Sequence, residues 1–167
     1  LVTVGLVLVS ASLYIARLAT QNDPSLQPGG TPAGFAAWVQ RVWPVFDVHL
    51  ENSVPTWFNA FLCSVLGVSA LLAAFFARRR FGWLLVAAIA LWASLDETVS
   101  LHERLQDVGW SMALALGWRM TYAWVLPGLV LAAVVAAVLW PFLRDLPVLS
   151  RRLIGTGGAV FLFGAIV

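Results

Sequence analysis

The sequence predicts an all-α fold: a polytopic transmembrane helix bundle of about five spans, the last truncated, with an amphipathic helix at the outer membrane interface. Three observations predict it. Apolar runs of about 20 residues, long enough for a helix to cross ~30 Å of hydrocarbon, recur along the chain. Turns rich in Arg alternate with acidic ones, so charge changes sign from one side of the bundle to the other. Finally, 61% of residues are hydrophobic and 11% charged, with mean hydropathy +0.89; soluble domains are roughly a quarter charged. Residues 1–167 are read as a single transmembrane domain.

The first span, about 1–19, is interrupted only by Thr3, Ser10, Ser12 and Arg17. It is expected to be retained, since no small-residue cleavage site follows it and no charged region precedes it. Asn22-Asp23-Pro24 and Pro28-Gly29-Gly30 then mark a loop. In the stretch of about 33–46, Phe35, Trp38, Val39, Val42, Trp43 and Phe46 recur at helical spacing, with Gln40 and Arg41 off the stripe and an end near Pro44. Two tryptophans on the apolar face suit a helix lying in the membrane interface. The same pattern also suits a helix that caps the bundle as ordinary core.

The second span, about 55–77, can be capped by Asn52 or Ser53. Pro55 fits its first turn, where a missing N–H costs nothing, and Trp57 falls at interface depth. Arg78-Arg79-Arg80 closes it. The third span, about 81–101, returns outward, so that Asp96 lies about 22 Å along the helix and near the outer interface. Trp110 to Trp118 is too short to span and reads as re-entrant or interfacial. The fourth span, about 119–142, carries Pro127-Gly128 as a kink, and the fifth, about 153–167, is cut short. Beginning without Met and ending inside an apolar run, the sequence is expected to be a stretch of a longer protein.

Charge placement orients this bundle. One side holds Arg78, Arg79, Arg80, Arg144, Arg151 and Arg152 against Asp145. The other holds Arg17, Arg41, Arg104 and Arg119 against Asp23, Asp47, Glu51, Asp96, Glu97, Glu103 and Asp107. By the positive-inside rule the Arg78–Arg80 turn and the 143–152 turn are cytoplasmic, while the 20–54 loop and the 96–107 stretch are periplasmic. A net charge of +2, scattered along the chain, lacks the clustered basic face that nucleic-acid binding needs. Cys63, the one cysteine, leaves no disulfide framework and no thiolate cluster.

The polar residues gather in two places. Asp47-Val48-His49-Leu50-Glu51-Asn52 precedes the second span, and Ser94-Leu95-Asp96-Glu97 with His102-Glu103-Arg104 ends the third. No Pro or Gly breaks the chain between Trp83 and Leu105, so it reads as one helix. At about 100° per residue, Ser100, Glu103 and Asp107 fall within about 40° of Asp96, with Glu97 and Arg104 beside the stripe and His102 off it. Spans joined by a tight turn are antiparallel neighbours, which brings both clusters to the same outer end.

Three readings fit this convergence. In the first, Glu51, Asp96, Glu97, His102, Glu103 and His49 ligate a divalent transition metal, although neither Glu-x-x-His nor His-Glu-x-x-His spacing is present. In the second, His49 or His102 contacts haem or chlorophyll. In the third, the carboxylates pair with Arg104, Arg41 or Arg119 and with the N-terminus of the second span, tying the interfacial helix to the bundle. On that reading Trp38, Trp43, Trp57, Arg104 and Arg119 form a structural interface. No catalytic constellation is complete.

Glu51-Asn52-x-x-Pro55-Thr56-Trp57-Phe58, followed by an apolar span, a basic turn and Ser94-Leu95-Asp96-Glu97 with His102-Glu103, resembles a group of uncharacterised bacterial multi-pass inner-membrane proteins. The similarity covers about residues 45–105. It implies residence in the bacterial inner membrane and no particular reaction.

Three functions follow as expectations. The first is a non-catalytic integral subunit that packs within a larger membrane complex, such as a photosynthetic or respiratory one, with lipid and other membrane subunits as its partners. The second is a membrane metalloprotein or redox enzyme with its carboxylate and His site at the outer interface. The third is a transporter, for which the middle depths of the spans carry few ionisable groups.

Overall fold

The computed structural model describes residues 2–26, 34–48 and 50–166, without the side chains of 164–166. Among the described residues the chain is helix and turn throughout, with no strand. The helices are α1 (Val2–Thr20), α2 (Gly34–Phe46), α3 (Val54–Phe76), α4 (Arg80–Val99), α5 (Gln106–Ala115), α6 (Val125–Arg144) and α7 (Val148–Ile166). Short 3₁₀ turns lie at Pro24–Leu26 and Leu101–Leu105. Four helices, α1, α3, α4 and α6, are long and apolar enough to cross a membrane.

The first three spans and the amphipathic helix lie where the sequence places them. The fourth begins at Val125 rather than near 119, because α5 ends in a chain reversal: Gly117 has φ 72°, the Trp118 N–H donates to the Ala113 carbonyl at 2.8 Å, and the Gly117 N–H donates to Leu114 at 3.1 Å. This paired closure needs the left-handed residue that glycine supplies without strain. Pro127 therefore falls in the first turn of α6, where it interrupts nothing, and makes no mid-span kink. α7 starts at Val148, five residues before the expected fifth span. Arg151 and Arg152 in its opening turns, with Gly155, Thr156, Gly157 and Gly158 beyond, make it less apolar than the four spans.

The contacts of the chain form two compact units. The first comprises Leu1–Leu66 with Leu91–Val99. Here α2 packs on α1: Val39 is fully buried and Trp43 is 6% exposed, while Leu13 and Ser10 of α1 are buried. Tyr14 meets the Trp43 ring at 5.4 Å between centroids, and the Arg17 guanidinium lies over the same ring at 5.6 Å, a cation–π geometry. The α2 stripe thus serves as core on its Val39 and Trp43 side. Phe35 and Trp38, stacked on each other at 5.8 Å, remain exposed.

The second unit comprises Gly67–Ala90 with Ser100–Val167. Its core joins α3, α4 and α6 through Ala70, Val86, Ala87, Leu139 and Phe142. Small residues let the helices approach closely. At Gly82 a Cβ atom would stand 2.1 Å from the Phe142 ring, so only glycine fits there, and Trp83 meets the same ring edge-on at 5.4 Å.

Candidate functional site

The acidic stripe depends on one helix running unbroken from Phe81 past Glu103. It does not run unbroken. α4 ends at Val99, and Ser100 adopts a left-handed conformation, φ 54° and ψ 44°. From there the chain turns as a 3₁₀ helix that begins with the Glu103 N–H donating to the Ser100 carbonyl at 3.2 Å. Thr98-Val99-Ser100 are all weak helix formers, and the Thr98 hydroxyl donates back to the Ser94 carbonyl at 3.0 Å. Helical spacing therefore stops at Val99, and Glu103 and Asp107 do not continue the Asp96 stripe.

In the first unit, the end of α4 is fastened to α3 by hydroxyls. Ser94 donates to the Ala60 carbonyl at 2.8 Å, so its single proton is committed, and the Ser64 hydroxyl at 2.7 Å supplies the other hydrogen bond. Asp96 and Glu97 are half-buried, and Glu97, three residues on from Ser94, lies on the same side of α4. The loop ahead of α3 is also closed locally. The Ser53 side chain is buried and accepts the Thr56 N–H at 3.4 Å; the Thr56 hydroxyl donates to the Leu50 carbonyl at 2.9 Å. Of the two expected caps, Ser53 is thus the one used. Glu51 is half-buried and Asp47 buried, and each has an interaction partner. His49 lies outside the described residues.

In the second unit, His102 packs against Trp124, ring centroids 4.5 Å apart and planes tilted by 58°. Gln106, one turn further on, closes the same corner. Its amide donates through Nε2 to the Thr121 carbonyl at 2.8 Å and accepts the Trp124 N–H at 3.1 Å through Oε1. It satisfies backbone groups at the start of α6 that no helical bond can reach. Gly109 lies beneath, where a Cβ would stand 2.0 Å from the Ala123 carbonyl oxygen. His102, Gln106, Gly109 and Trp124 therefore form a corner that docks the 116–124 connection onto α5. Glu103 and Arg104 are exposed at its edge.

Among the described residues, neither unit gathers three or more His, Cys, Asp or Glu side chains that could hold a metal ion. Arg41, Arg104 and Arg119, the arginines expected to pair with the carboxylates, are exposed. The expected interface tryptophans divide: Trp43 is core, whereas Trp38 and Trp57 are 51% and 66% exposed. Sequence reasoning passed over Gln106 and Gly109. Their one signal was their spacing of three, which puts an amide and a glycine on the same side of a short helix.

No curated protein and no solved structure matches this chain significantly. The whole of it, residues 1–167, matches a family described as a domain of unknown function (DUF8692), and the chain belongs to that family.

Proposed function

We propose that this chain is a non-catalytic integral subunit that packs within a larger membrane assembly in the bacterial inner membrane. Its Arg78–Arg80 and 143–152 turns lie in the cytoplasm and its acidic turns in the periplasm. The observation that carries this reading is how much aromatic helix surface the chain leaves uncovered. Trp57 and Phe61 stack at 5.8 Å on α3 and are 66% and 49% exposed; Trp92, Trp140 and Phe75 are exposed on other spans. Large rigid aromatics bury much area for little entropy, which suits contacts with other transmembrane helices as well as lipid. The polar groups support the same reading, since the Ser64–Ser94 pair, the Ser53 cap and the Gln106 corner are all engaged in holding helix ends and neighbours together.

Purification through a tag in mild detergent tests it. The chain is expected to travel with other membrane proteins in fixed stoichiometry, and Trp57→Ala with Phe61→Ala to release them without changing the helical circular dichroism of the chain. A wild-type chain that purifies as a lone monomer, or a variant that keeps its partners, overturns the proposal.

A further inference from the structure

The turn between α3 and α4 contains a feature that the packing role does not use. Arg78, Arg79 and Arg80 line one end of a groove of about 410 Å³ in the second unit, within the ~300–1,000 Å³ of small-molecule sites. The rest of the groove is apolar: Phe81 and Leu85 lie one helical turn apart on α4, and Val138, Pro141 and Phe142 face them from α6. The Phe142 ring, seated in the space that a side chain at Gly82 would fill, forms part of this wall.

The charges are unequally committed. Arg79 pairs with Asp145 at the end of α6, which ties the turn to that helix and cancels one charge. Arg78 and Arg80 are exposed and have no carboxylate partner among the described residues. The groove therefore joins two uncompensated guanidinium groups to an apolar cleft about 6 Å long, the rise of Phe81 to Leu85. It stands at the end of two apolar spans, the depth at which lipid headgroups give way to chains.

We propose that this groove binds an anionic phospholipid. Its phosphodiester is held by Arg78 and Arg80, and the first part of one acyl chain lies along Phe81, Leu85 and Val138. Charge complementarity selects this occupant. Guanidinium groups bind phosphate oxygens through strong charge-assisted bonds, and a zwitterionic headgroup would bring its own cation toward the two arginines. The cleft beneath has no polar side chain to receive a free anion.

Native mass spectrometry of the purified full chain, titrated with phosphatidylglycerol or with phosphatidylcholine of the same acyl chains, tests this. Phosphatidylglycerol is expected to bind at least tenfold more tightly. Arg78→Gln with Arg80→Gln is expected to abolish that preference, whereas Arg151→Gln with Arg152→Gln, which removes the same charge outside the groove, leaves it intact. Val138→Trp, which fills the cleft without altering charge, is expected to weaken phosphatidylglycerol binding at least tenfold and keeps the test open where the arginine variant does not fold. Equal affinity for the two lipids, an equal loss in the Arg151 and Arg152 variant, or displacement of the lipid by millimolar inorganic phosphate would each overturn the proposal.

Discussion

Single side chains in this protein act mainly by satisfying backbone at places where helices stop. Gln106 is the clearest case, because it serves a donor and an acceptor at the start of α6. Gln106→Ala is expected to lower stability by about 1–3 kcal/mol, the cost of stranding partly buried polar groups. Gln106→Glu keeps an acceptor for the Trp124 N–H and loses the donor, so unfolding in mixed micelles should order the variants wild type, Glu, Ala. Ser94→Ala removes the bonds to both the Ser64 hydroxyl and the Ala60 carbonyl, whereas Ser64→Ala leaves the bond to Ala60 in place. Interhelical bonds of this kind average about 0.6 kcal/mol, so the same unfolding measurement should find Ser94→Ala the costlier. Asp23 lies outside the spans, and its titration is displaced downward. The Ser25 hydroxyl, and after it the Ser25 amide, hold its carboxyl below the usual range; only the amide makes a geometric bond, at 2.8 Å. A depressed carboxyl stabilises the fold above its unfolded pKa and loses that contribution as pH falls through the folded value. The amide resonance of Ser25 should therefore titrate with a midpoint below the ordinary Asp value near 3.8, and a midpoint at or above it would contradict the turn.

At the level of elements, two breaks flank α5. One is announced by glycine. Gly117 closes α5 through a left-handed residue, and the sequence shows it openly beside Trp118. The other is at Ser100, where no Gly or Pro stands, and a periodicity argument naturally runs straight through it. A left-handed residue with a Cβ costs roughly 1–2 kcal/mol, so Ser100→Gly is expected to stabilise the protein by about 1 kcal/mol and Ser100→Val to destabilise it by more. Had α4 continued as a helix, the glycine substitution would instead destabilise by about 0.5–1 kcal/mol, so the sign of the change in an unfolding titration decides between the two geometries.

For the whole molecule, orientation is the property to test. A cysteine introduced at Arg79 in a Cys63→Ser background should react with an impermeant maleimide only from the cytoplasmic face of sealed vesicles, and one at Asp107 only from the opposite face. Reaction of both from one face would sink the assigned topology. Much of the architecture was legible in the sequence because its cause is local: a run of about 20 apolar residues must be helical in a bilayer, where every backbone group has to find a partner within its own segment. Arg-rich turns and the Phe35 to Phe46 stripe likewise declare themselves by composition and spacing. The site was less legible. Which face of α2 is core was decided by the Val39 and Trp43 side closing on α1. The contact of His102 with an aromatic ring was decided by the reversal at Gly117, which returns Trp124 to it. The sequence by itself determined the helices and which of them are long and apolar enough to cross a membrane, because each follows from hydrophobicity within one segment. Only the tertiary structure decided the break at Ser100, the corner at Gln106 and the groove beside Arg78 and Arg80, because each arises from contacts between residues that are distant in the chain or from a single torsion that no residue type compels.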